Sequence, residues 1–181
     1  MRWLSYSALL CESNRPARAA AGRHHSLFID GEGRLSSCGS EPMFTPGLLG
    51  HDEGVTRLNT PTRLPSSPLG GERVVAVLAA AGHSLALTAE GIWSWGGGAY
   101  GKLGHGDQQN QLLPKKVEAF ADQRVVTVSA ASMHSLAVTA DGAVWSWGCG
   151  AFGRLGDGDQ QNQVLPKKGE AFAGQRRAPG C

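Results

Sequence analysis

The chain repeats itself with a period of about 51 residues, and this repeat constrains its fold more than any other feature. The run His-Ser-Leu-Ala-Leu-Thr at residues 83–88 returns as His-Ser-Leu-Ala-Val-Thr at residues 134–139, a shift of 51. Trp-Ser-Trp-Gly at residues 93–96 returns at residues 145–148, a shift of 52. A period of this length indicates supersecondary units that bury their faces only by packing against one another.

A third, more diverged copy lies upstream of these two. Residues 25–29 align with residues 83–87 at a shift of 58, and residues 36–39 stand where the later copies carry Trp-Ser-Trp-Gly, without either tryptophan. We therefore expect three repeat units. Their predicted bounds are 20–78, 79–128 and 129–176, after an irregular N-terminal segment at residues 1–19.

Each unit carries the pattern of short antiparallel strands. Residues 73–78 and 84–88 are apolar runs. Asp141-Gly142 separates two further runs and predicts a two-residue hairpin turn, because glycine accepts positive φ without steric cost. A fourth strand is predicted around residues 116–120. Four strands in each unit predict an all-β fold, a β-propeller of four-stranded antiparallel blades, and a pair of packed sheets is the alternative that the period leaves open.

The motifs that recur in the units resemble a known repeat. Residues 82–88, 93–96 and 100–106, with their counterparts between 133 and 156, are similar to the repeat of the regulator of chromosome condensation family. The resemblance covers roughly residues 20 to 176. It implies a seven-bladed propeller, of which this chain carries about three blades.

An incomplete propeller has uncovered faces at its two ends. We expect exposed apolar surface and unpaired edges there, because no neighbouring blade is present to bury them. The expectation that follows is a truncated piece of a longer propeller. The alternative is a short protein that completes its ring by oligomerising.

Composition argues against several classes of function. The net charge of +2 provides no basic stripe for nucleic acid, and no stretch approaches the roughly 20 apolar residues of a membrane span. Cys11, Cys38, Cys149 and Cys181 do not follow the repeat and form no close CxxC pair. We expect reduced thiols in a cytoplasmic protein, with the nucleus as the alternative, although residues 1–18 weakly resemble an organelle transit segment.

Two recurring motifs are candidates for a dinucleotide site and for a metal site. Residues 96–101 fit G-x-G-x-x-G, but a dinucleotide site needs a helix to follow, and residues 102–106 are too rich in glycine to form one. His25, His83 and His134 occupy one repeated position beside a serine, and we expect them to make structural hydrogen bonds rather than to bind a metal. We predict no catalytic residue, no cofactor and no metal site.

The function is therefore predicted from what the resemblance implies. It implies a non-enzymatic protein–protein interaction module, part of a larger scaffold or regulatory protein, whose loops at residues 97–111 and 149–163 contact a protein partner. The candidate partner-binding residues are Tyr100, Lys102, His105, Asp107, Gln108, Gln109, Phe152, Arg154, Asp157, Asp159, Gln160 and Gln161. The resemblance leaves two alternatives open: guanine-nucleotide exchange on a Ran-type small GTPase, and substrate recruitment within a HECT-type ubiquitin ligase.

Overall fold

Three separate four-stranded antiparallel sheets form the part of the chain that the computed structural model describes, residues 18–43, 45–65 and 68–169. In each sheet the spatial order of the strands follows their order in the chain. We call the sheets blade 1, blade 2 and blade 3. Blade 1 contains β1 (Ala19–Ala21), β2 (His25–Ile29), β3 (Leu35–Ser40) and β4 (Arg57–Arg63); blade 2 contains β5 (Val74–Ala79), β6 (His83–Thr88), β7 (Gly91–Gly96) and β8 (Gln111–Lys116); blade 3 contains β9 (Val125–Ala130), β10 (His134–Thr139), β11 (Val144–Gly148) and β12 (Gln163–Lys168).

The blades stack face to face in chain order. Strands β1 and β2 lie against β5, and β5 and β6 lie against β9. The predicted four-stranded blades are confirmed. Strands β5 and β9 each open a blade, whereas the predicted unit bounds at residues 78 and 128 fall inside these two strands. In the described ranges no helix is long and apolar enough to cross a bilayer.

The core consists of two apolar layers, each lying between two blades. Leu27 and Ile29 of blade 1 pack with Ala86 and Trp95 of blade 2 in the first layer. The second layer joins blades 2 and 3 in the same way, with Leu85, Leu87, Ile92 and Phe120 packed on Ala137 and Trp147. Blade 2 is covered on both sides, and every residue of β6 and β7 is buried.

The hairpin between β10 and β11 differs from the predicted two-residue turn. The Thr139 amide donates to the Ala143 carbonyl at 3.0 Å, so the loop contains three residues, the last of which is Gly142 at φ 85°. Three-residue hairpin loops commonly end on a residue in this left-handed region. In blade 2, Thr88 pairs directly with Gly91 across a two-residue turn. This one-residue difference explains why the repeat shifts by 51 residues before the hairpin and by 52 after it.

The prediction of a fourth strand around residues 116–120 was wrong in position. Strand β8 ends at Lys116, and residues Glu118–Phe120 form one turn of 3-10 helix. Strand β8 includes Pro114, which an edge strand tolerates because one side of it needs no N–H donor. The turn places the Phe120 ring against two indoles, with centroids 5.4 Å from Trp145 and 5.7 Å from Trp147. These residues therefore serve the contact between blades 2 and 3.

Candidate functional site

The recurring histidines hold neighbouring blades together. His25 Nε2 lies 2.7 Å from Ser84 Oγ, and His83 Nε2 lies 2.8 Å from Ser135 Oγ. Each serine hydroxyl donates in turn to a carbonyl of the preceding blade, Ser84 to Leu48 at 3.1 Å and Ser135 to Lys102 at 3.0 Å. The hydroxyl proton is used in that bond, so the imidazole Nε2–H must be the donor to the serine oxygen. The predicted structural role is confirmed for His25 and His83.

Both of these imidazoles are neutral. Burial lowers the pKa of His25 from 6.5 to about 4, with a smaller contribution from nearby His24. Burial also lowers the pKa of His83 to about 3, with Lys102 as the next cause. Charging either ring would place a cation in an apolar layer between two blades, which is costly.

A second serine–histidine pair braces the long loop of each of the first two blades. In blade 2, Ser94 Oγ donates to the Leu103 carbonyl at 2.7 Å and lies 2.9 Å from His105 Nε2. Ser37 makes the same contacts in blade 1, to the Leu49 carbonyl at 2.7 Å and to His51 Nε2 at 3.1 Å. His105 was predicted on a partner-binding loop, and the structure places it half-buried against this serine.

Blade 3 departs from the pattern because Asp157 stands where His51 and His105 stand in the others. The Asp157 carboxylate accepts from Lys167 Nζ at 3.1 Å and from Gln163 Nε2 at 2.9 Å. The hydroxyl of Ser146 is left buried, with no hydrogen-bond partner among the described residues. The loop of blade 3 is thus held by charge rather than by a serine–histidine pair.

The loops at residues 97–110 and 149–162 have the same backbone conformation. Tyr100 and Phe152 occupy equivalent positions, each at φ 64°, in the left-handed region that bulky residues rarely adopt. Asn110 Oδ1 accepts the Gly98 amide at 2.9 Å, and Asn162 makes the matching bond at 3.1 Å. These two asparagines order the loops and were absent from the predicted site. Their recurrence within the repeat was the available signal.

The candidate residues divide into exposed and buried groups. The Tyr100 side chain is 40% exposed and that of Phe152 is 90% exposed, with the Arg154 guanidinium 5.5 Å from the Phe152 ring centroid. Lys102 is only 5% exposed, so it is part of the interior. The remaining candidates are exposed or half-buried on the same two loops: Asp107, Gln108, Gln109, Asp159, Gln160 and Gln161.

Several of these polar side chains hold the loop backbone. Asp107 Oδ1 accepts the Gln109 amide at 2.9 Å, and Asp159 Oδ1 accepts the Gln161 amide at 2.8 Å. Gln108 Oε1 accepts the Tyr100 amide at 3.2 Å. The loops are therefore preorganised, and the amide groups of Gln109 and Gln161 lie at the exposed surface. Such a surface suits recognition by shape and hydrogen bonding.

In the described residues, the glycine-rich stretch is part of a loop and the cysteines are free thiols. Residues Ala99–Gly101, at the end of the G-x-G-x-x-G stretch, form a single 3-10 turn, and only turns, bends and irregular backbone follow before β8, so no α-helix begins there. Within the described ranges, no three His, Cys, Asp or Glu side chains are grouped so that they could hold a metal ion. Cys38 and Cys149 are free thiols, and the predicted thiols at Cys11 and Cys181 lie outside the described residues.

Stacked four-stranded antiparallel blades, joined by serine–histidine bonds and carrying long ordered loops at one end, define an incomplete β-propeller. The sequence model of the regulator of chromosome condensation (RCC1) repeat matches residues 90–138 and 141–178, and a second model of that repeat matches residues 125–154. The chain belongs to the family of proteins built from this repeat.

Named relatives share the repeat over most of this chain. The E3 ubiquitin-protein ligase HERC2 of Homo sapiens is 38% identical over 157 residues, which are 85% of this chain and 3% of that protein. The ultraviolet-B receptor UVR8 of Arabidopsis thaliana is 35% identical over 159 residues, which are 87% of this chain and 35% of the receptor. The chain therefore spans about a third or less of these relatives.

The fold is also similar to that of a solved structure. Prp20p from Saccharomyces cerevisiae superposes with a TM-score of 0.69 at 24% sequence identity, over 85% of this chain and 38% of that one. At this level of identity the likeness establishes the fold, a β-propeller of which this chain supplies a part.

Proposed function

We propose that the chain is a non-enzymatic protein–protein interaction module and that its partner contacts the loop end of the blades. The observation that carries this proposal is the pair Tyr100 and Phe152, two aromatic side chains held at equivalent positions and exposed to solvent. Exposed aromatic residues on an ordered backbone are the usual anchors of protein interfaces.

The conformation of these two residues supports a role beyond packing. A bulky residue in the left-handed region is strained, on the order of 1–2 kcal/mol, and persists only where its surroundings impose it. Here the Asn110 and Asn162 bonds hold the loop backbone in place. Both rings are exposed to solvent in this conformation. A surface that is ordered before binding loses less entropy on binding.

Polar side chains lie on the same loops as Tyr100 and Phe152 and could form the rim of an interface. The Gln109 and Gln161 amides supply both donors and acceptors, and Arg154 lies beside Phe152. Interfaces typically place such groups around a central aromatic contact. We assign partner binding to Tyr100 and Phe152 first, and to the polar residues of the same loops second.

The test is a comparison of captured partners between the wild-type chain and the Tyr100→Ala/Phe152→Ala variant. Quantitative cross-linking in cytoplasmic and nuclear extracts would identify proteins that bind the wild type and lose most of their signal with the variant. Glu90→Ala is the matched control, because Glu90 is exposed on the hairpin at the opposite end of blade 2. Partners lost equally in the control, or retained in the double variant, would place binding elsewhere.

Guanine-nucleotide exchange on a Ran-type GTPase is the second candidate. It is favoured by the fold likeness to Prp20p, which binds Gsp1p and histones. A nucleotide-release assay with a Ran-type GTPase decides between the two candidates. Accelerated release that depends on the chain's concentration would replace the non-enzymatic proposal.

A role in ubiquitin ligation is the third candidate, and it is favoured by the identity to HERC2. In that case the chain would recruit the substrate of a ligase of which it forms a part. Proteins captured through Tyr100 and Phe152 would then become ubiquitinated when the chain is joined to a HECT-type catalytic domain. The absence of that modification would leave the simpler binding role.

A further inference from the structure

Blade 3 exposes on its outer face the same side chains that the other two blades bury. On β2, His25, Leu27 and Ile29 face blade 2 and are at most 8% exposed. Their counterparts on β10 are His134, Leu136 and Val138, which alternate with buried residues and are all partly exposed. We call this surface, completed by Val144 of β11, the outer face of blade 3.

The hydrogen-bonding groups of this face are also unused. His134 is the counterpart of His25 and His83, which each contact a serine of the following blade. Among the described residues, no serine hydroxyl contacts His134. The outer face of blade 3 thus carries the histidine of the histidine–serine contact that the protein makes twice elsewhere, without a serine opposite it in the described ranges.

The loop of blade 3 beside this face also lacks a neighbour in the part of the chain that the structure describes. A Cβ built on Gly104 would meet Trp147 Nε1 of the next blade at 2.9 Å, whereas nothing lies within 4 Å of a Cβ built on the equivalent Gly156. The space that a following blade occupies at Gly104 is open at Gly156. Both the outer face of blade 3 and the loop beside it therefore lack, among the described residues, the neighbour that the equivalent parts of blade 2 have.

The opposite end of the chain carries the other half of the contact. Strand β2 alternates, so Ser26 and Phe28 point away from blade 2 and are partly exposed. Ser26 is the counterpart of Ser84 and Ser135, the serines that accept a hydrogen bond from the preceding blade's histidine. We call this surface, with Ser36 and Cys38 of β3, the outer face of blade 1.

The outer face of blade 1 keeps an aromatic residue in a different strand. In blades 2 and 3, an alanine of the second strand pairs with a tryptophan of the third, Ala86 with Trp93 and Ala137 with Trp145. In blade 1, the corresponding pair is Phe28 with Ser36. Blade 1 therefore carries its large ring on the second strand rather than on the third, and its outer face remains apolar although it has no tryptophan.

We propose that the chain associates head to tail with a second copy of itself, the outer face of blade 1 packing on the outer face of blade 3. His134 of one copy donates to Ser26 of the other, and Phe28 packs against Leu136 and Val138. The contact continues the interfaces that already join blades 1 and 2 and blades 2 and 3. It is heterologous, because two different faces meet, so each added copy leaves both kinds of face free until a ring closes.

The test measures the mass of the full chain by sedimentation over a wide range of protein concentration. We expect association that increases with concentration in the wild type and its loss in both Leu136→Asp and Phe28→Asp, since either change buries a charge in the contact. Met43→Asp is the matched control: Met43 is an exposed apolar residue outside both faces, and its variant should associate like the wild type.

Mixing the two blocked variants makes the test specific. Leu136→Asp retains its blade 1 face and Phe28→Asp retains its blade 3 face, so together they should form a 1:1 dimer and nothing larger. A wild type that is monomeric throughout, variants that still associate, or a mixture that does not pair would each overturn the proposal.

Milder variants cover the case in which an aspartate prevents folding. Ser26→Ala and His134→Ala should each weaken association by about ten-fold, and the double variant should be no weaker than either single one, because both changes remove the same hydrogen bond. Additive losses, or no loss, would overturn the assigned pairing. The loop residues Tyr100 and Phe152 are intact in all of these variants, so failure here leaves the proposed partner binding untouched.

Discussion

His83 and Ser84, neighbours in the sequence, bind two different blades. Side chains alternate along a strand, so the two residues face opposite sides of β6. His83 Nε2 lies 2.8 Å from Ser135 of the following blade, and Ser84 Oγ lies 2.7 Å from His25 Nε2 of the preceding blade. This dipeptide of blade 2 thereby supplies a donor in one direction and an acceptor in the other. The two histidine–serine contacts together join the three stacked blades.

Removing the serine of one contact should destabilise the protein. Ser135→Ala leaves the buried His83 Nε2–H and the Lys102 carbonyl without this partner, and we expect a loss of about 1–3 kcal/mol in the free energy of unfolding. Ser129→Ala, at an exposed position on β9, is the control and should change stability by less than about 0.5 kcal/mol. Urea denaturation followed by tryptophan fluorescence measures both. Equal effects of the two substitutions would contradict the role of the contact.

Stability should fall in mild acid. The unfolded chain protonates its histidines near pH 6.5, whereas the folded pKa values of His25 and His83 are about 4 and about 3. The unfolded state therefore binds more protons between these values, and the free energy of unfolding should fall as pH decreases from about 6.5 towards 4. The slope is on the order of 1 kcal/mol per pH unit for each histidine.

Urea denaturation at several pH values measures this dependence, and a His25→Gln/His83→Gln variant should have a flatter profile. Gln123→Ala is the control, since Gln123 is exposed and does not titrate. A wild-type stability that is constant between pH 6.5 and 5 would show that the buried histidines do not govern the acid response.

Gly104 should tolerate substitution less well than its counterpart Gly156. Both have positive φ, 81° and 69°, so alanine introduces similar backbone strain at each site, on the order of 1–2 kcal/mol. Only at Gly104 does the added methyl also meet the Trp147 indole nitrogen, at 2.9 Å. We expect Gly104→Ala to cost about 1 kcal/mol more than Gly156→Ala.

Thermal or urea unfolding at high dilution compares these two glycine variants without self-association. If Gly156→Ala were the more damaging change, the Trp147 contact would not be what requires glycine in blade 2.

The two tryptophans of β7 should differ when each is replaced by phenylalanine. Trp95 Nε1 donates to the Leu48 carbonyl of blade 1 at 3.2 Å, whereas Trp93 Nε1 is buried without a partner among the described residues. Trp95→Phe removes a hydrogen bond and space-filling atoms, but Trp93→Phe removes an unsatisfied donor. We expect Trp95→Phe to cost about 1 kcal/mol more.

Denaturant titration of both tryptophan variants, with circular dichroism as the signal, gives this difference. A larger loss from Trp93→Phe would show that packing at the indole outweighs the bond to Leu48.

The repeated motifs determined the type of fold and the number of blades. Two nearly identical copies and one diverged copy predicted three four-stranded units, because glycine turns and apolar runs recur at fixed spacing. Local chemistry was sufficient for this, since each hairpin joins strands that are adjacent in the chain. Where a local choice depends on packing, the prediction failed: residues 118–120 form a turn rather than a strand because Phe120 packs between Trp145 and Trp147.

The sequence alone determined that His25, His83 and His134 occupy equivalent positions of the repeat. Only the tertiary structure decided which serines His25 and His83 contact, because His25 and Ser84 are 59 residues apart and meet only when blades stack. It also separated Lys102, which is buried, from Tyr100, which remains exposed on the same loop. Burial depends on what lies across the interface, and a repeat describes each unit without its neighbours.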